Sequence, residues 1–322
     1  MEIADIQSLA TRIKQNVQTV IIGKEEVIDQ LVIALLSSSH VLLDDVPGMG
    51  KTLLANSLSQ SISGKFKRLQ FTPDLLPSDV TGIHFFNQKN GEFEFREGPI
   101  FTNILLADEI NRATPRTQSS LLEAMEEKQV SIDGETHTLG KPFMVIATQN
   151  PVESQGTFPL PEAQLDRFLM KIEMGYPSKE EGISILKRFK QGSPIGKIEP
   201  VASQDEVVAA QKLYSNVHVS DDLLDYIIQI VEATRNHDEI ELGVSPRGSQ
   251  ALLKAVQVYA ILQGRSYVLP DDIKAMAKPV LAHRLVIDEM TKLKVGYEHE
   301  LLDSIIEKIA VPSEEELLKG VE

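Results

Sequence analysis

His40-Val41-Leu42-Leu43-Asp44-Asp45-Val46-Pro47-Gly48-Met49-Gly50-Lys51-Thr52 decides the fold of this chain. His40 to Leu43 is a short apolar run that fits a buried strand, Asp44 to Gly48 close it as a loop, and a helical stretch follows Thr52. Strand, glycine-bearing loop and helix, in that order, are the context a phosphate-binding loop requires. Glycines let backbone N–H groups converge on phosphate oxygens, and the helix N-terminus adds its positive dipole end. Pro47, Gly48, Met49 and Gly50 form the body of the loop, Lys51 can neutralise β- and γ-phosphates, and the Thr52 hydroxyl can reach Mg2+. One departure stands out. The first glycine of the pattern is Asp45, so Gly48 is left to restore flexibility.

Working outward, Ala4 to Gln18 reads as a loosely amphipathic helix, and Lys24 to Ser38 as a stronger one. Val27, Ile28, Leu31, Val32, Leu35 and Leu36 recur there at helical spacing. Three further apolar runs follow the loop, at Phe66 to Phe71, Asn103 to Ala107 and Phe143 to Ala147, with helical stretches such as Thr114 to Glu127 between them. Alternating helices and buried strands predict an α/β fold with a mainly parallel sheet. Two hairpins interrupt it. Phe85-Phe86 and Phe93-Glu94-Phe95 flank Asn90-Gly91, and Val130-Ser131-Ile132 faces Thr136-His137-Thr138 across Asp133-Gly134. After Tyr176-Pro177 the strand signal fades. Leu223, Leu224, Ile227, Ile228 and Val231 form one apolar face, Ala251 to Leu262 is helical, and Pro270-Asp271-Asp272 opens another helix. The expected organisation is an α/β core over 1–177 and an all-helical domain over 178–322.

Composition narrows the function. The 322 residues are 42% apolar and 25% charged, with a net charge of −15, so the average surface repels nucleic acid and anionic membrane. There are no cysteines, which excludes disulfides, thiolate metal sites and cysteine nucleophiles. The N-terminus lacks the basic region of a secretory signal, and no segment is apolar enough to span a bilayer. An intracellular, cytoplasmic protein is expected.

Two more strand ends carry chemistry. Ile104-Leu105-Leu106-Ala107-Asp108-Glu109 delivers two acids at the ligand edge of an open sheet. Asp108 suits a Mg2+ water shell, and Glu109 can polarise a water attacking the γ-phosphate. Ala147-Thr148-Gln149-Asn150 ends the following strand in amides, and Asn150 can hydrogen-bond that water or the phosphate.

On these motifs the chain resembles the AAA+ ATPases, and in particular the MoxR family. His40 to Thr52 is similar to that family's first nucleotide motif, which tolerates an aspartate at the first-glycine position. Phe71-Thr72-Pro73-Asp74-Leu75-Leu76-Pro77-Ser78-Asp79, Ala147-Thr148-Gln149-Asn150-Pro151 and Leu160-Pro161-Glu162-Ala163-Gln164-Leu165-Asp166-Arg167-Phe168 are further MoxR-like signatures. The resemblance implies an AAA+ P-loop core with hairpin inserts and a helical lid, binding ATP and Mg2+, with Thr52 and Asp108 serving the metal. It implies that Ile22-Gly23 lines the adenine pocket, that Asn150 is the first sensor, and that Arg167 is the arginine finger reaching a neighbouring subunit's nucleotide. Arg247, in Val244-Ser245-Pro246-Arg247-Gly248, matches the second sensor. Its residues agree: Ser245 is a good N-cap, Pro246 suits the first helical position, and an arginine at a positive helix end calls for a compensating anion. For Arg167 a local ion pair with Asp166 is the bland alternative. The resemblance further implies a homo-oligomer, a hexameric ring, with a von Willebrand factor A domain protein as partner.

The hairpins bear on the choice of client. Residues 87–97 set Lys89 and Arg96 against Glu92, Glu94 and Glu97; residues 127–141 set Lys128 and Lys141 against Glu127, Asp133 and Glu135. Each is net negative, whereas a hairpin gripping DNA should be basic. Phe85, Phe86, Phe93 and Phe95 read as core or pore residues, with core preferred because alternation turns at least two inward. The expected function is ATP-driven remodelling of protein partners. A nucleic-acid motor of the same structural branch, a magnesium-chelatase-like subunit and a nucleotide switch are the alternatives.

Overall fold

Two amphipathic helices precede the loop in the computed structural model, which describes residues 1–44, 46, 48–150, 156–190, 196, 198–288 and 296–312. α1 (Ile3–Gln18) buries Ile6, Leu9, Ile13 and Val17, one stripe at helical spacing. α2 (Glu25–Leu36) opens with Glu25 and Glu26, which suit the positive helix end, and is buried along most of its length.

The core then alternates. β1 (Val41–Asp44) leads into α3 (Lys51–Ser61), β2 (Phe66–Gln70) and α4 (Pro77–Thr81). The first hairpin is β3 (Gly82–Asn87) with β4 (Glu92–Glu97), followed by β5 (Ile104–Asp108) and α5 (Pro115–Glu127). The second is β6 (Gln129–Ile132) with β7 (Glu135–Thr138), followed by β8 (Met144–Gln149), α6 (Glu162–Leu165) and β9 (Met170–Ile172). The strands pair in the order β2-β5-β8-β1-β9, and every pairing in this sheet is parallel. Side chains alternate between two cores. Leu43, Ile104, Leu106 and Ile146 pack with α1, α2 and α3, while Leu42, Leu105, Ala107 and Val145 pack with Leu121, Leu122 and Met125 of α5. Burial on both faces explains why these strands read as continuous apolar runs. The register sets Gln70 opposite Asp108 and Asp44 opposite Gln149, so the carboxyl ends of the strands finish together at one edge.

Beyond β9 come α7 (Lys179–Phe189), α8 (Gln204–Leu213), α9 (Asp221–Arg235), β10 (Ile240–Leu242), α10 (Pro246–Leu262), α11 (Pro270–Leu281), β11 (Val286–Ile287) and α12 (Tyr297–Lys308). This part is not wholly helical, because β10 and β11 form a short antiparallel pair. Nor does the apolar interior stop near residue 177: one continuous core joins Ile6 and Leu31 to Leu252 and Ile261. The expected face of α9 is rotated. Leu223, Tyr226, Ile227, Ile230 and Val231 are buried, while Leu224 and Ile228 are exposed.

Both expected hairpins form, with Phe86 opposite Phe93 and Val130 opposite His137. The core reading of their phenylalanines is wrong. Phe85, Phe86 and Phe93 are exposed, the last by 73%, and only Phe95 is half-buried, against His137 and Phe101. β3 and β4 make a two-stranded sheet of their own that the second hairpin covers only around His84 and Phe95, so alternation there does not sort side chains between core and solvent. No helix among the described residues is long and apolar enough to cross a membrane.

Candidate functional site

The loop forms where β1 ends at the sheet edge. Gly48 and Gly50 both have φ of 86°, and a Cβ at either would meet open space, so glycine is needed there for conformation rather than room. Gly50 is the N-cap of α3, whose first residue is Lys51, with Thr52 exposed beside it. The positive helix end and the Lys51 backbone therefore coincide. Asp45 and Pro47 of the loop, and Pro151 after Asn150, lie outside the described residues. Asp44 is tied to Lys171 at 2.6 Å.

β5 brings the acid pair to the same edge. Asp108 Oδ1 accepts from Thr148 Oγ1 at 2.6 Å, and Asp108 Oδ2 accepts from Nη2 and Nε of Arg68 at 2.6 and 3.0 Å. Glu109 has a left-handed backbone, φ 55°, and its N–H donates to Thr148 Oγ1 at 2.8 Å. Glu109 Oε2 accepts from Gln70 Nε2 at 2.7 Å and from Arg112 Nη1 at 2.9 Å. Both carboxylates are half-buried at the strand ends, and Asn150, at the end of neighbouring β8, is buried. Thr52 and Asp108 offer only oxygen donors, the set a hard cation takes.

The sequence reading assigns no role to Arg68, Gln70, Arg112 or Thr148. The signal for two of them was present: Arg68 and Gln70 are polar at alternate positions of one strand, hence on one face. Their partners became visible only once β2 was known to lie beside β5.

Next to the loop is a cavity of about 270 Å³. Ile22, Met49, Leu53, Met174 and Ile185 give it apolar walls beside Gly48 and Gly50. Ile22, expected at the adenine, lines this cavity. Gly23 is not in the lining, and its reason is steric: with φ of 67° it admits Glu181 of α7, whose Oε1 would lie 1.8 Å from an added Cβ.

The two arginines lie elsewhere, in a second cavity of about 310 Å³ that shares no lining residue with the first. Arg167 Nη1 is 3.1 Å from Glu126 Oε2 and donates to the Leu122 carbonyl at 2.8 Å. Arg247 Nη2 bonds the other oxygen of the same carboxylate, Glu126 Oε1. Ser245 caps α10 as expected, its side chain accepting from the Gly248 N–H, and Glu126 is the anion that Arg247 at this helix start called for. The local Asp166–Arg167 pair does not form; Asp166 Oδ1 accepts from Arg284 Nε at 2.7 Å and Asp166 Oδ2 from Ser245 Oγ at 2.8 Å. Lys128 and Lys254 add to the positive lining.

Residues 40–170 match the family "ATPase family associated with various cellular activities (AAA)", and residues 232–307 match its lid domain. The chain is 49% identical to the uncharacterized protein YeaC of Bacillus subtilis over 308 residues, covering 96% of each. It is 38% identical over 318 residues to the chaperone MoxR1 of Mycobacterium tuberculosis, covering 96% of this chain and 84% of that one. A crystal structure from Cytophaga hutchinsonii, assigned provisionally as an ATPase, superposes with a TM-score of 0.90 at 37% identity, over 96% of both chains. With a phosphate loop, an acid pair and a helical lid in one chain, and relatives of this kind over nearly all of its length, the chain belongs to the MoxR family of AAA+ ATPases.

Proposed function

We propose that the protein is a Mg2+-dependent ATPase that works as a ring, hexameric by resemblance, and remodels protein partners in the cytoplasm. The observation that carries the ring is the placing of Arg167 and Arg247 together on Glu126, in a cavity apart from the chain's own phosphate loop. Arginines that served the chain's own nucleotide would line the loop cavity. These two are held in reserve for an anion, and the γ-phosphate of a neighbouring subunit is the anion an arginine finger meets.

In this reading Lys51 and the backbone N–H groups of Gly48, Met49 and Gly50 hold the phosphates, while Ile22 and Met49 wall the adenine. Thr52 and Asp108 hold Mg2+, which supplies charge neutralisation at the phosphate oxygens when bound. Arg68, now on Asp108 Oδ2, competes for that carboxylate and has to yield or share it. Glu109 takes the proton of the attacking water, and Asn150 orients the water against the γ-phosphate. Gly23 supplies the left-handed turn that lets Glu181 of α7 approach beside Ile22. The core over 1–177 and the lid over 178–322 are the proposed units.

Exposed apolar side chains on α7, among them Leu186 and Phe189, support a surface that another chain covers. A protein client is favoured over nucleic acid by the −15 net charge and by two net-negative hairpins. A von Willebrand factor A domain protein is the partner class the resemblance implies. A crosslinked pull-down with a Glu109→Gln protein held in ATP tests both assembly and client. Recovery of monomer alone overturns the ring. An ATPase rate raised several-fold by duplex DNA, and lost with added salt, replaces the protein client with nucleic acid; metal insertion in a chelation assay replaces it with the magnesium-chelatase-like role.

A further inference from the structure

Three metal-ligating side chains meet where the two hairpins touch. His84 comes from β3, and Glu135 and His137 from β7; one ligand atom of each lies within 4.8 Å of the other two. Glu135 Oε2 is 3.8 Å from Nε2 of His84 and 3.8 Å from Nε2 of His137. These separations are too long for hydrogen bonds. Tetrahedral zinc with bonds of about 2.0–2.1 Å sets its ligand atoms about 3.4 Å apart, so the carboxylate must close by only a few tenths of an ångström on each imidazole.

Two further observations point the imidazoles at an ion. His84 Nδ1 lies 2.9 Å from Oδ2 of Asp133. An ionised carboxylate only accepts, so Nδ1 carries the hydrogen, and in the neutral ring a metal takes, Nε2 offers its lone pair on the side of Glu135. A carboxylate behind a histidine in this way is the usual outer partner of a histidine bound to metal. His137 Nε2, for its part, is buried and has no hydrogen-bond partner among the described residues. The ring is held flat against Phe95, with centroids 4.2 Å apart and planes at 18°. A buried, unpaired nitrogen beside a carboxylate calls for an ion or a water.

The turn explains how a short hairpin assembles this. Asp133 and Gly134 have φ of 51° and 87°, the left-handed pair that a tight hairpin turn demands. The turn sets Asp133 next to Glu135, and strand alternation returns His137 to the same face as Glu135. Phe95, opposite His84 in register, closes the back of the site.

We propose that His84, His137 and Glu135 bind Zn2+ or a similar borderline divalent ion, with Asp133 as a positioning residue, and that the ion staples the two hairpins together. Two imidazoles and one carboxylate suit zinc with a fourth position left to water; Mg2+ and Ca2+ prefer all-oxygen shells. With no cysteine in the chain, no thiolate competes for the ion. Glu135 is exposed and gives the ion its way in.

The test uses the full chain, stripped with EDTA and free of nucleotide, titrated with Zn2+ against a chromophoric chelator and with Co2+ for its visible spectrum. Expected are one ion per chain, a tetrahedral-type Co2+ band, indifference to millimolar Mg2+, and a melting temperature raised by Zn2+. Asp133→Asn, which tolerates the left-handed turn, is expected to weaken Zn2+ binding ~10–100-fold, and His137→Gln to weaken it more. Both should melt like the wild type in EDTA. If His137→Gln is unstable even in EDTA, Glu135→Gln, a change at an exposed side chain, decides instead. Zn2+ affinity unchanged in Glu135→Gln and Asp133→Asn, or no stoichiometric binding by the wild type, overturns the proposal.

Discussion

Thr148 Oγ1 donates to Oδ1 of Asp108 at 2.6 Å. The same oxygen accepts the N–H of Glu109 at 2.8 Å, so one buried hydroxyl of β8 fixes both acids at the end of β5. Glu109 needs such a tie, because its left-handed backbone, φ 55°, costs about 1–3 kcal/mol for a residue with a side chain. Thr148→Val keeps the shape and removes both bonds. The expected result is a loss of about 1–3 kcal/mol in stability, from two polar groups left unpaired, and a fall in kcat well beyond any change in nucleotide affinity. Urea unfolding and steady-state ATPase rates measure the two effects. A Thr148→Val protein with wild-type kcat would remove Thr148 from the positioning of Glu109.

Glu109→Gln keeps an acceptor oxygen for Gln70 and Arg112 but loses the proton acceptor. It is expected to bind Mg·ATP normally and to hydrolyse it at least ~10²-fold more slowly, the scale of general-base loss. Single-turnover hydrolysis separates this from a binding defect. Turnover within a few-fold of wild type assigns the water to another group.

Sequence legibility followed the length scale of the physics. The loop from Gly48 to Thr52, the strands β1, β2, β5 and β8 and both hairpins rest on local signals, namely apolar runs and Asn-Gly or Asp-Gly turns, and these held, whereas the three-residue β9 carries too short a run to be read. The partners of the site residues are non-local. Glu126 lies far along the chain from both Arg167 and Arg247, and Arg68 reaches Asp108 only because β2 borders β5. Alternation misled at Phe86 and Phe93, since period two reports which residues share a face but not what covers it. In α9 the polar hydroxyl of Tyr226 hid a largely buried ring, which turned the expected face away from Leu224 and Ile228.

Buried His40 makes stability depend on acid. Its Nδ1 accepts from the Val145 N–H at 2.9 Å, so Nε2 carries the hydrogen toward the Met125 carbonyl at 3.1 Å. Burial holds its pKa down at about 4, from an ordinary 6.5. The folded pKa is the lower one, so the unfolded chain binds the proton first. The stabilisation is complete above pH 6.5 and is lost as pH falls toward 4, and integrates to about 3 kcal/mol. His283 is held neutral in the same way, by burial first and then by the Arg284 guanidinium, and it titrates alike in wild type and variant. Urea midpoints between pH 7 and 4 should therefore fall more steeply for the wild type than for His40→Gln. Parallel curves count against a buried neutral His40.

The sharing of Glu126 by Arg167 and Arg247 leads to the test of action across a subunit boundary. Arg167→Ala should bind ATP in its own pocket yet hydrolyse it poorly, since arginine fingers supply ~10³–10⁵ of rate in related phosphoryl transfers. Lys51→Ala should be inactive for the opposite reason, with an intact finger and an empty pocket. Mixed in equal amounts with free exchange, about half of the pockets belong to the Arg167→Ala chain, and about half of those face an intact finger. Roughly a quarter of sites regain both parts if sites act independently, and fewer if the ring is strongly coupled. Arg247→Ala should complement Lys51→Ala in the same way, because Arg247 occupies the same cavity. An Arg247 that served its own chain's nucleotide would show no recovery while Arg167 did, which would divide the two arginines between sites. For Arg167 the decisive negative is a mixture shown by native mass measurement to co-assemble, whose ATPase rate stays at the sum of its inactive parents.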